Sequence, residues 1–206
     1  MTIHGIGFTN RRQQLVDNKS ISLLQAAIDE PLHIATYDPK WSEMFQHEKA
    51  RLLRVFSADL VKIEHVGSTA VPGLDSKPII DMLGGVRTME VAQALLAPLR
   101  EYGYVTPPEC NSLLVDRRWL MRHAGGHRTH HLHLVVINEQ GWNQTIKFRD
   151  ALIADSKVAK KYQELKYCLV SMGKDRTEYI KAKTTFIDKV LQNYSSSLKR
   201  ERKAPR

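Results

Sequence analysis

Residues 61–86 read VKIEHVGSTAVPGLDSKPIIDMLGGV, and this stretch decides the fold. The pattern predicts a short strand over residues 61–66, a loop of small residues over 67–77, and a second strand over 78–86. The second strand is apolar on both faces except for Asp81, which is typical of a strand buried inside a sheet. Two buried strands joined in this way favour an α/β protein.

The flanking sequence predicts helices on both sides of this unit. A turn at residues 37–41 leads into a helix with Ser42 as its cap, and residues 22–29 form a further helical stretch. A helix over 88–102, ended by Gly103, is followed by strands over 113–122 and 129–137 with a hairpin turn at 123–127. Residues 142–198 are helical in three segments, with breaks at Gly173 and near Ser156. The fold class is therefore α/β (α+β): a mixed sheet with flanking helices and a helical C-terminal half.

Composition limits the class of protein. The chain has 206 residues, 42% of them hydrophobic, which suits one domain with a full core. No apolar run approaches the ~20 residues of a membrane span, and no signal peptide is visible, so we expect a soluble, cytoplasmic protein without a membrane partner. The net charge is +9, and basic residues cluster at the C-terminus. We divide the chain into an N-terminal extension (1–30), a domain (31–194) and a basic, disordered tail (195–206).

The loop after the first strand is a candidate phosphate site. Backbone N–H groups at Gly67 and the hydroxyls of Ser68 and Thr69 can donate to phosphate oxygens, and Lys77 adds a positive charge. The spacing matches neither a P-loop nor a dinucleotide fingerprint. An ordinary strand–turn with capping hydroxyls is the alternative interpretation.

Two histidines and Asp81 form a candidate metal site. A carboxylate in the middle of a buried strand is costly unless it is paired or binds a metal. His131 and His133 are two positions apart on a predicted strand, so both project from one face. Two imidazoles and a carboxylate match a His/carboxylate metal site, to which Glu64 could add an oxygen. The alternatives are an Asp81 bonded to an amide or an arginine, and two histidines on a wet sheet face.

Two arginines are candidate clamps for the phosphate. Arg118 and Arg122 are in even register on a predicted strand, with Arg117 and Trp119 pointing to the other side. Basic side chains opposite an acidic or phosphate site would neutralise its charge. Surface arginines are the alternative.

Taken together, these residues resemble the GrpB family, a group with the nucleotidyltransferase (polymerase-β-like) fold. The similarity covers residues 34–192. It is carried by the turn at 37–41 with Glu48, the runs 63–74, 77–81, 131–135 and 148–150, and Tyr179, Lys183 and Phe186.

The resemblance implies roles for individual residues. In the broader superfamily the Gly-Ser pair, here Gly67 and Ser68, holds the triphosphate, and Asp81 matches the first metal-binding carboxylate. A second carboxylate is expected two positions on, where this chain has Leu83. A third is expected on a later strand, where it offers His131 and His133. Two-metal transfer needs oxygen-rich ligands, so the site either holds one metal with mixed ligands or has kept the phosphate pocket without the reaction.

Three functions follow as hypotheses. The first is a metal-dependent nucleotidyltransferase that acts on a small molecule. Its cofactor would be a divalent cation, Mg²⁺ or Mn²⁺ with Zn²⁺ as a further candidate, and Asp81, His131 and His133 would be its catalytic residues. The second is a binding module for a nucleotide or another phosphorylated ligand, without turnover. The third, nucleic-acid binding through the basic tail, lacks a recognised reader motif.

Overall fold

A five-stranded mixed sheet lies between two layers of helices in the computed structural model. The structure describes residues 22–106, 111–112, 114–173 and 176–201, and within the final helix it describes the side chains of residues 177–194. The strand order is β1-β2-β5-β4-β3. Their bounds are Lys62–Val66 for β1, Ile80–Val86 for β2, Tyr104–Val105 for β3, Arg117–Ala124 for β4 and His127–Val136 for β5. Strands β2 and β5 pair in parallel, and the other pairs are antiparallel.

The helices confirm the α+β class and the helical C-terminal half. Helix α1 spans residues 22–29, as the sequence predicted. The others are α2 (Lys40–Phe56), α3 (Met89–Ala94), α4 (Leu96–Glu101), α5 (Gln140–Ala154), α6 (Ser156–Ser171) and α7 (Arg176–Glu201), with a 3-10 turn at Ser68–Ala70. No helix in the described ranges is long and apolar enough to cross a membrane.

Two local predictions about the N-terminal helices were wrong. Helix α2 begins at Lys40, whose N–H donates to Asp38 Oδ1 at 2.9 Å. Ser42 therefore lies inside the helix and does not cap it. The helix predicted over 88–102 is two short helices that meet at Leu95, although Thr88 caps the first of them and Gly103 follows the second with φ +82°.

The hairpin between β4 and β5 is tighter than predicted. Gly125 and Gly126 alone separate the strands, and both have positive φ, +59° and +84°. Two left-handed residues form the kind of turn whose twist matches that of the flanking strands. A β-bulge then shifts this register by one residue, because His123 pairs with Arg128 but Arg122 pairs with His130. The shift sets Trp119, and not Arg118, opposite His133.

Each face of the sheet packs against its own helices. The face that carries Ile80 and Met82 packs on α2–α4, while the face that carries Val66 and Leu83 packs on Trp142 of α5. A third apolar cluster joins the 67–77 loop to α5–α7. The C-terminal helices therefore cover the same face as Asp81.

The C-terminal helices break close to the predicted positions. Asp155 separates α5 from α6, and its Oδ1 accepts hydrogen bonds from the N–H groups of Lys157 and Val158. Gly173, with φ +62°, ends α6. Helix α7 continues to Glu201, so the predicted boundary at residue 194 falls inside a helix. Residues 202–206 of the predicted tail lie outside the described residues, as do residues 1–21 of the extension.

Candidate functional site

Asp81 packs directly against the backbone of Gly67. A Cβ atom placed on Gly67 would lie 2.3 Å from Asp81 Oδ2 and 2.8 Å from Asp81 Cβ. Gly67 also has φ +69° and ψ −170°, a backbone conformation that only glycine adopts readily. The glycine is therefore required for the contact between the loop and the half-buried carboxylate of Asp81.

His131 and His133 lie beside Asp81 because β5 pairs in parallel with β2. The register sets Asp81 opposite His131 and Leu83 opposite His133. His131 Nδ1 lies 2.9 Å from Asp81 Oδ1. Asp81, His131 and His133 each offer one ligand atom, and these atoms lie within 4.8 Å of one another. The structure thus brings together the three residues predicted to hold a metal.

The chemistry of this trio fits a divalent cation. Burial alone would raise the pKa of Asp81, but the hydrogen bond with His131 and the nearby positive charges outweigh it and lower that pKa, so the carboxylate is ionised. Burial lowers the pKa of His133 to about 4, which keeps its imidazole in the neutral, ligating form. His131 Nε2 is buried and has no hydrogen-bond partner in the structure. A buried nitrogen of this kind is a natural metal ligand when the other ring nitrogen is held by a carboxylate.

Thr69 does not take the phosphate-binding role that was predicted for it. Its hydroxyl donates to the carbonyl of Ile79 at 3.3 Å, and its oxygen lies 3.1 Å from His65 Nε2. Burial lowers the pKa of His65 to about 4, so the ring is neutral and Nε2–H donates to Thr69. The Thr69 hydroxyl therefore fastens the loop to its neighbours, while Gly67 and Ser68 line the cavity described below.

Glu64 does not join the metal-ligating trio, contrary to the prediction. Its carboxylate pairs with Lys62 and with Arg149, each at 2.8 Å. Burial would raise the pKa of Glu64, but these two cations outweigh it and lower that pKa. Arg149 also donates to the His65 carbonyl at 3.0 Å. Glu64 therefore anchors α5 to β1.

Arg118 and Arg122 are not phosphate clamps, because they lie on the opposite face of the sheet from Asp81. Arg118 Nε donates to Gln93 at 2.7 Å. Arg122 Nη1 lies 3.2 Å from Oε2 of Glu48, a buried carboxylate on α2. Both arginines belong to the α2–α4 side of the molecule.

Arg117 and Trp119 occupy the position that was predicted for the other two arginines. Trp119 pairs with His133 in the sheet and packs edge-on against His131, with ring centroids 5.2 Å apart. Arg117 is the next residue on that face, and both line the cavity. Leu120 lies between Arg118 and Arg122 on the other face of β4 and is fully buried on the α2–α4 side. Met121 is equally buried on the odd-numbered face, so the sequence of β4 alone did not show which face is core.

Helices α6 and α7 supply the remaining wall with lysines and tyrosines. Lys166 is 2% exposed, and its Nζ donates to the carbonyl of Asp75. Tyr162 lies one turn away on α6, with its ring centroid 5.2 Å from Lys166 Nζ. On α7, Lys183 lies 5.3 Å from the ring of Tyr179. Neither Lys166 nor Tyr162 was among the predicted site residues.

These residues enclose a cavity of about 720 Å³ at the strand ends. Its lining has five basic side chains and two acidic ones, besides the two histidines: Lys77, Arg117, Arg128, Lys166 and Lys183 against Asp81 and Asp188. Aromatic rings from Trp119, Phe148, Tyr162 and Tyr179 complete it. Arg117 pairs with Asp116 and Arg128 with Glu30, so the lysines supply most of the positive charge in the lining. A cavity with lysines, aromatic faces and a metal-ligating trio is suited to an anionic, phosphorylated small molecule.

Comparison with known proteins gives the family. The family described as GrpB protein matches residues 31–193. The chain belongs to the GrpB family. Among its relatives, the glutamate-rich protein GrpB of Alkalihalophilus pseudofirmus is 32% identical over 167 residues, which cover 77% of this chain and 92% of that protein. The UPF0157 protein YqkA of Bacillus subtilis is 34% identical over 163 residues, 79% of this chain.

The fold is shared with a solved member of the GrpB family. The crystal structure of the conserved protein GrpB from Enterococcus faecalis superposes with a TM-score of 0.70 at 30% identity, and the match covers 81% of this chain and 99% of that one. The match with the Bacillus protein covers 47% of that protein, so the chain spans about half of its length.

Proposed function

We propose that this GrpB-family chain is a divalent-cation-dependent enzyme that transfers a nucleotidyl group, or carries out a related phosphoester reaction, on a small molecule. The observation that carries the proposal is the cavity that joins Asp81, His131 and His133 to an excess of basic side chains. Phosphoester chemistry requires that negative charge be bound and neutralised at the reacting phosphorus. The described residues around this cavity offer groups that can bind the negative charge and groups that can neutralise it.

Each of these residues has a separate role in the proposed reaction. Ser68, with the exposed backbone next to it, and Lys77 hold a phosphate of the substrate. Trp119 offers a flat face for stacking of a base or another planar group. Arg117 neutralises charge at the mouth of the cavity. The neutral imidazole of His133 can accept a proton from an attacking hydroxyl when it is not a ligand.

A cation held by Asp81, His131 and His133 would supply Lewis-acid polarisation of a phosphoryl oxygen. Imidazole-containing donor sets suit Mn²⁺ or Zn²⁺ better than Mg²⁺, which prefers oxygen ligands and retained waters. We therefore expect Mn²⁺ or Zn²⁺ to support the function at lower concentrations than Mg²⁺.

A binding module without turnover is the second candidate, and two observations favour it. Leu83, where the resemblance implies a second carboxylate, is buried in an apolar cluster with Val66 and Trp142. Lys183 is close enough to lower the pKa of Asp81 by its charge, so part of the acid's charge is already compensated. A ligand could then bind to this pocket without a cation.

Thermal unfolding with nucleoside triphosphates, with and without Mn²⁺, Zn²⁺ or Mg²⁺, tests the proposal on the wild type and Asp81→Asn. A ligand at 100 times its Kd stabilises by about 2.7 kcal/mol, which raises the Tm of a domain of this size by roughly 5–10 °C. We expect a cation-dependent shift in the wild type that is lost in Asp81→Asn, together with release of pyrophosphate in the presence of an acceptor. Asp59→Asn, an acid outside the cavity lining, is the matched control.

The two candidates give different results in this experiment. Stabilisation that survives a chelator and Asp81→Asn, with no pyrophosphate released, would establish the binding module. Turnover that persists in Asp81→Asn would exclude the trio from catalysis and overturn the proposal.

A further inference from the structure

Two lysines of the C-terminal helices, Lys166 and Lys183, lie in the cavity wall without an acidic partner. Among the described residues, neither forms an ion pair within 4.0 Å. Lys166 Nζ donates a hydrogen bond to a backbone carbonyl, that of Asp75. Buried ammonium groups are normally paired with carboxylates, because taking a charge out of water costs several kcal/mol. The charge of Lys166 is therefore incompletely compensated. Burial would lower the pKa of Lys183, but Tyr162, Tyr179 and Asp81 outweigh burial and raise that pKa, so Lys183 stays charged in the cavity wall.

Two tyrosines frame the lysines. Tyr162 packs against Lys166, and Tyr179 lies within 5.3 Å of Lys183 and 5.5 Å of Lys77. Their rings offer cation–π attraction, and their hydroxyls can donate hydrogen bonds to an anion. Tyr179 is 2% exposed, so its position is fixed by packing. The four side chains lie on α6 and α7 and line the same cavity as His131 and His133.

Electrostatics around Lys166 support this interpretation. Burial, followed by the charges of Lys183 and Lys77, lowers the pKa of Lys166 to about 7, although Asp75 and Asp81 act in the opposite direction. Tyr162 is the aromatic neighbour on the same helix. A polyanion placed among these lysines would relieve their mutual repulsion and restore the ammonium form of Lys166.

We propose that Lys166, Lys183, Tyr162 and Tyr179 bind the distal phosphates of a nucleoside di- or triphosphate. This inference rests on the proposed function and narrows its substrate class. The phosphate nearest the nucleoside lies at Gly67 and Ser68, and the phosphates beyond it extend to the two helices. The site therefore selects nucleoside polyphosphates over monophosphates and simple phosphate esters.

Calorimetric titration with ATP, AMP and tripolyphosphate, each with Mn²⁺, tests the subsite in the wild type and in Lys166→Met and Lys183→Met. Methionine keeps the apolar stem of the side chain and removes its charge. We expect each variant to bind ATP and tripolyphosphate at least about 10-fold more weakly, since a hydrogen bond to a charged group contributes that much, and to bind AMP within about 2-fold of the wild type. Lys181→Met, an exposed lysine on the same helix, is the matched control.

A proton measurement separates a binding role from a structural one. At pH 8 the wild type should take up protons when tripolyphosphate binds, because Lys166 becomes charged beside the phosphates. The uptake should be smaller in Lys166→Met and should remain in Lys183→Met. It is measured by repeating the titration in buffers of different ionisation enthalpy. Circular dichroism of the free variants checks that the fold is retained.

Several outcomes would overturn the subsite. These are equal weakening of AMP and ATP in the lysine variants, no difference from Lys181→Met, or no binding of tripolyphosphate by the wild type. The subsite and the proposed reaction can also fail separately. Lysine-dependent binding of tripolyphosphate without nucleotidyl transfer leaves the subsite and refutes the reaction. Asp81-dependent turnover that is unchanged in both lysine variants leaves the reaction and refutes the subsite.

Discussion

Replacement of Gly67 by alanine should destabilise the fold much more than the same replacement at Gly73. Both glycines lie in the 67–77 loop and both have positive φ, +69° and +75°. A Cβ at Gly67 would lie 2.3 Å from Asp81 Oδ2, whereas a Cβ at Gly73 would have nothing within 4 Å. The pair therefore separates backbone strain from steric clash.

The magnitude follows from these two contributions. Alanine at Gly73 pays only the left-handed backbone cost of about 1 kcal/mol, which lowers the Tm by roughly 2–4 °C. Alanine at Gly67 adopts a rarer backbone region, at about 1–3 kcal/mol, and adds overpacking of about 1–3 kcal/mol. The two contributions sum to about 2–6 kcal/mol. We expect a loss near the middle of that range, about 4 kcal/mol, and a Tm decrease of roughly 8–16 °C.

Thermal and urea unfolding of the two variants measure this difference. The double variant Gly67→Ala/Asp81→Gly removes the atoms that the new Cβ would strike, so the cost of Gly67→Ala in that background should fall to its backbone contribution alone, about 1–3 kcal/mol. Equal, small losses for Gly67→Ala and Gly73→Ala would refute the reasoning. So would a cost of Gly67→Ala that does not depend on the residue at position 81.

Three further predictions concern other parts of the molecule. Arg117→Ala should weaken ATP binding several-fold in fluorescence titration, and Arg118→Ala should leave ATP binding unchanged, because of these two only Arg117 lines the cavity. The reverse result would place the binding site on the other face of the sheet. Burial alone would raise the pKa of Glu48, but Arg51, Tyr104 and Arg122 outweigh burial and lower that pKa. The contribution of Glu48 to stability is therefore present above about pH 4.3 and is lost as pH falls below that value. The Tm of the wild type should therefore approach that of Glu48→Gln between pH 5 and pH 3, and parallel curves would contradict this. The pKa of Lys166 is lowered to about 7, so between pH 7 and about pH 10 the unfolded chain binds a proton that the folded chain lacks. Wild-type stability should rise with pH over that window relative to Lys166→Met, and a difference that is independent of pH would show that Lys166 is charged in the fold.

The proximity of Asp81, His131 and His133 could be predicted from the sequence because each signal was local. Asp81 interrupts an otherwise apolar strand, and His131 and His133 alternate with leucines, so each strand revealed its own polar positions. Parallel pairing then brought them together with Asp81 opposite His131. The role of Gly67 was less visible, because its close neighbour is a side chain fourteen positions away and not a ligand.

The choice between the two faces of β4 could not be made from alternation. Arg118 and Arg122 share one face, and Arg117 and Trp119 share the other, so the pattern was equally consistent with either assignment. The face is decided by the β-bulge at Arg122 and His123, which shifts by one residue the register that the Gly125–Gly126 turn begins, and by the helices that cover each side.

The positions of Lys166 and Lys183 in the cavity wall could not be predicted from the sequence, for a different reason. Helices α6 and α7 contain many lysines, and those that become buried have no distinct local pattern. Lys166 is buried because α6 packs against the loop that holds Asp75. Resemblance to the family had marked Tyr179 and Lys183, but only the tertiary structure gives them Tyr162 and Lys166 as neighbours.

The division of the cavity between early and late parts of the chain has a consequence for biosynthesis. Asp81 and the histidines are all present once Val136 has been added to the growing chain, but Lys183 and Tyr179 come from α7. Until α7 has emerged and packed, Phe148 and Tyr162 lack the apolar cover that it gives them. A growing chain can therefore assemble the acid–imidazole part of the cavity before it has the lysine and tyrosine of α7. A truncated product that ends before α7 would present an uncovered aromatic surface to chaperones and proteases.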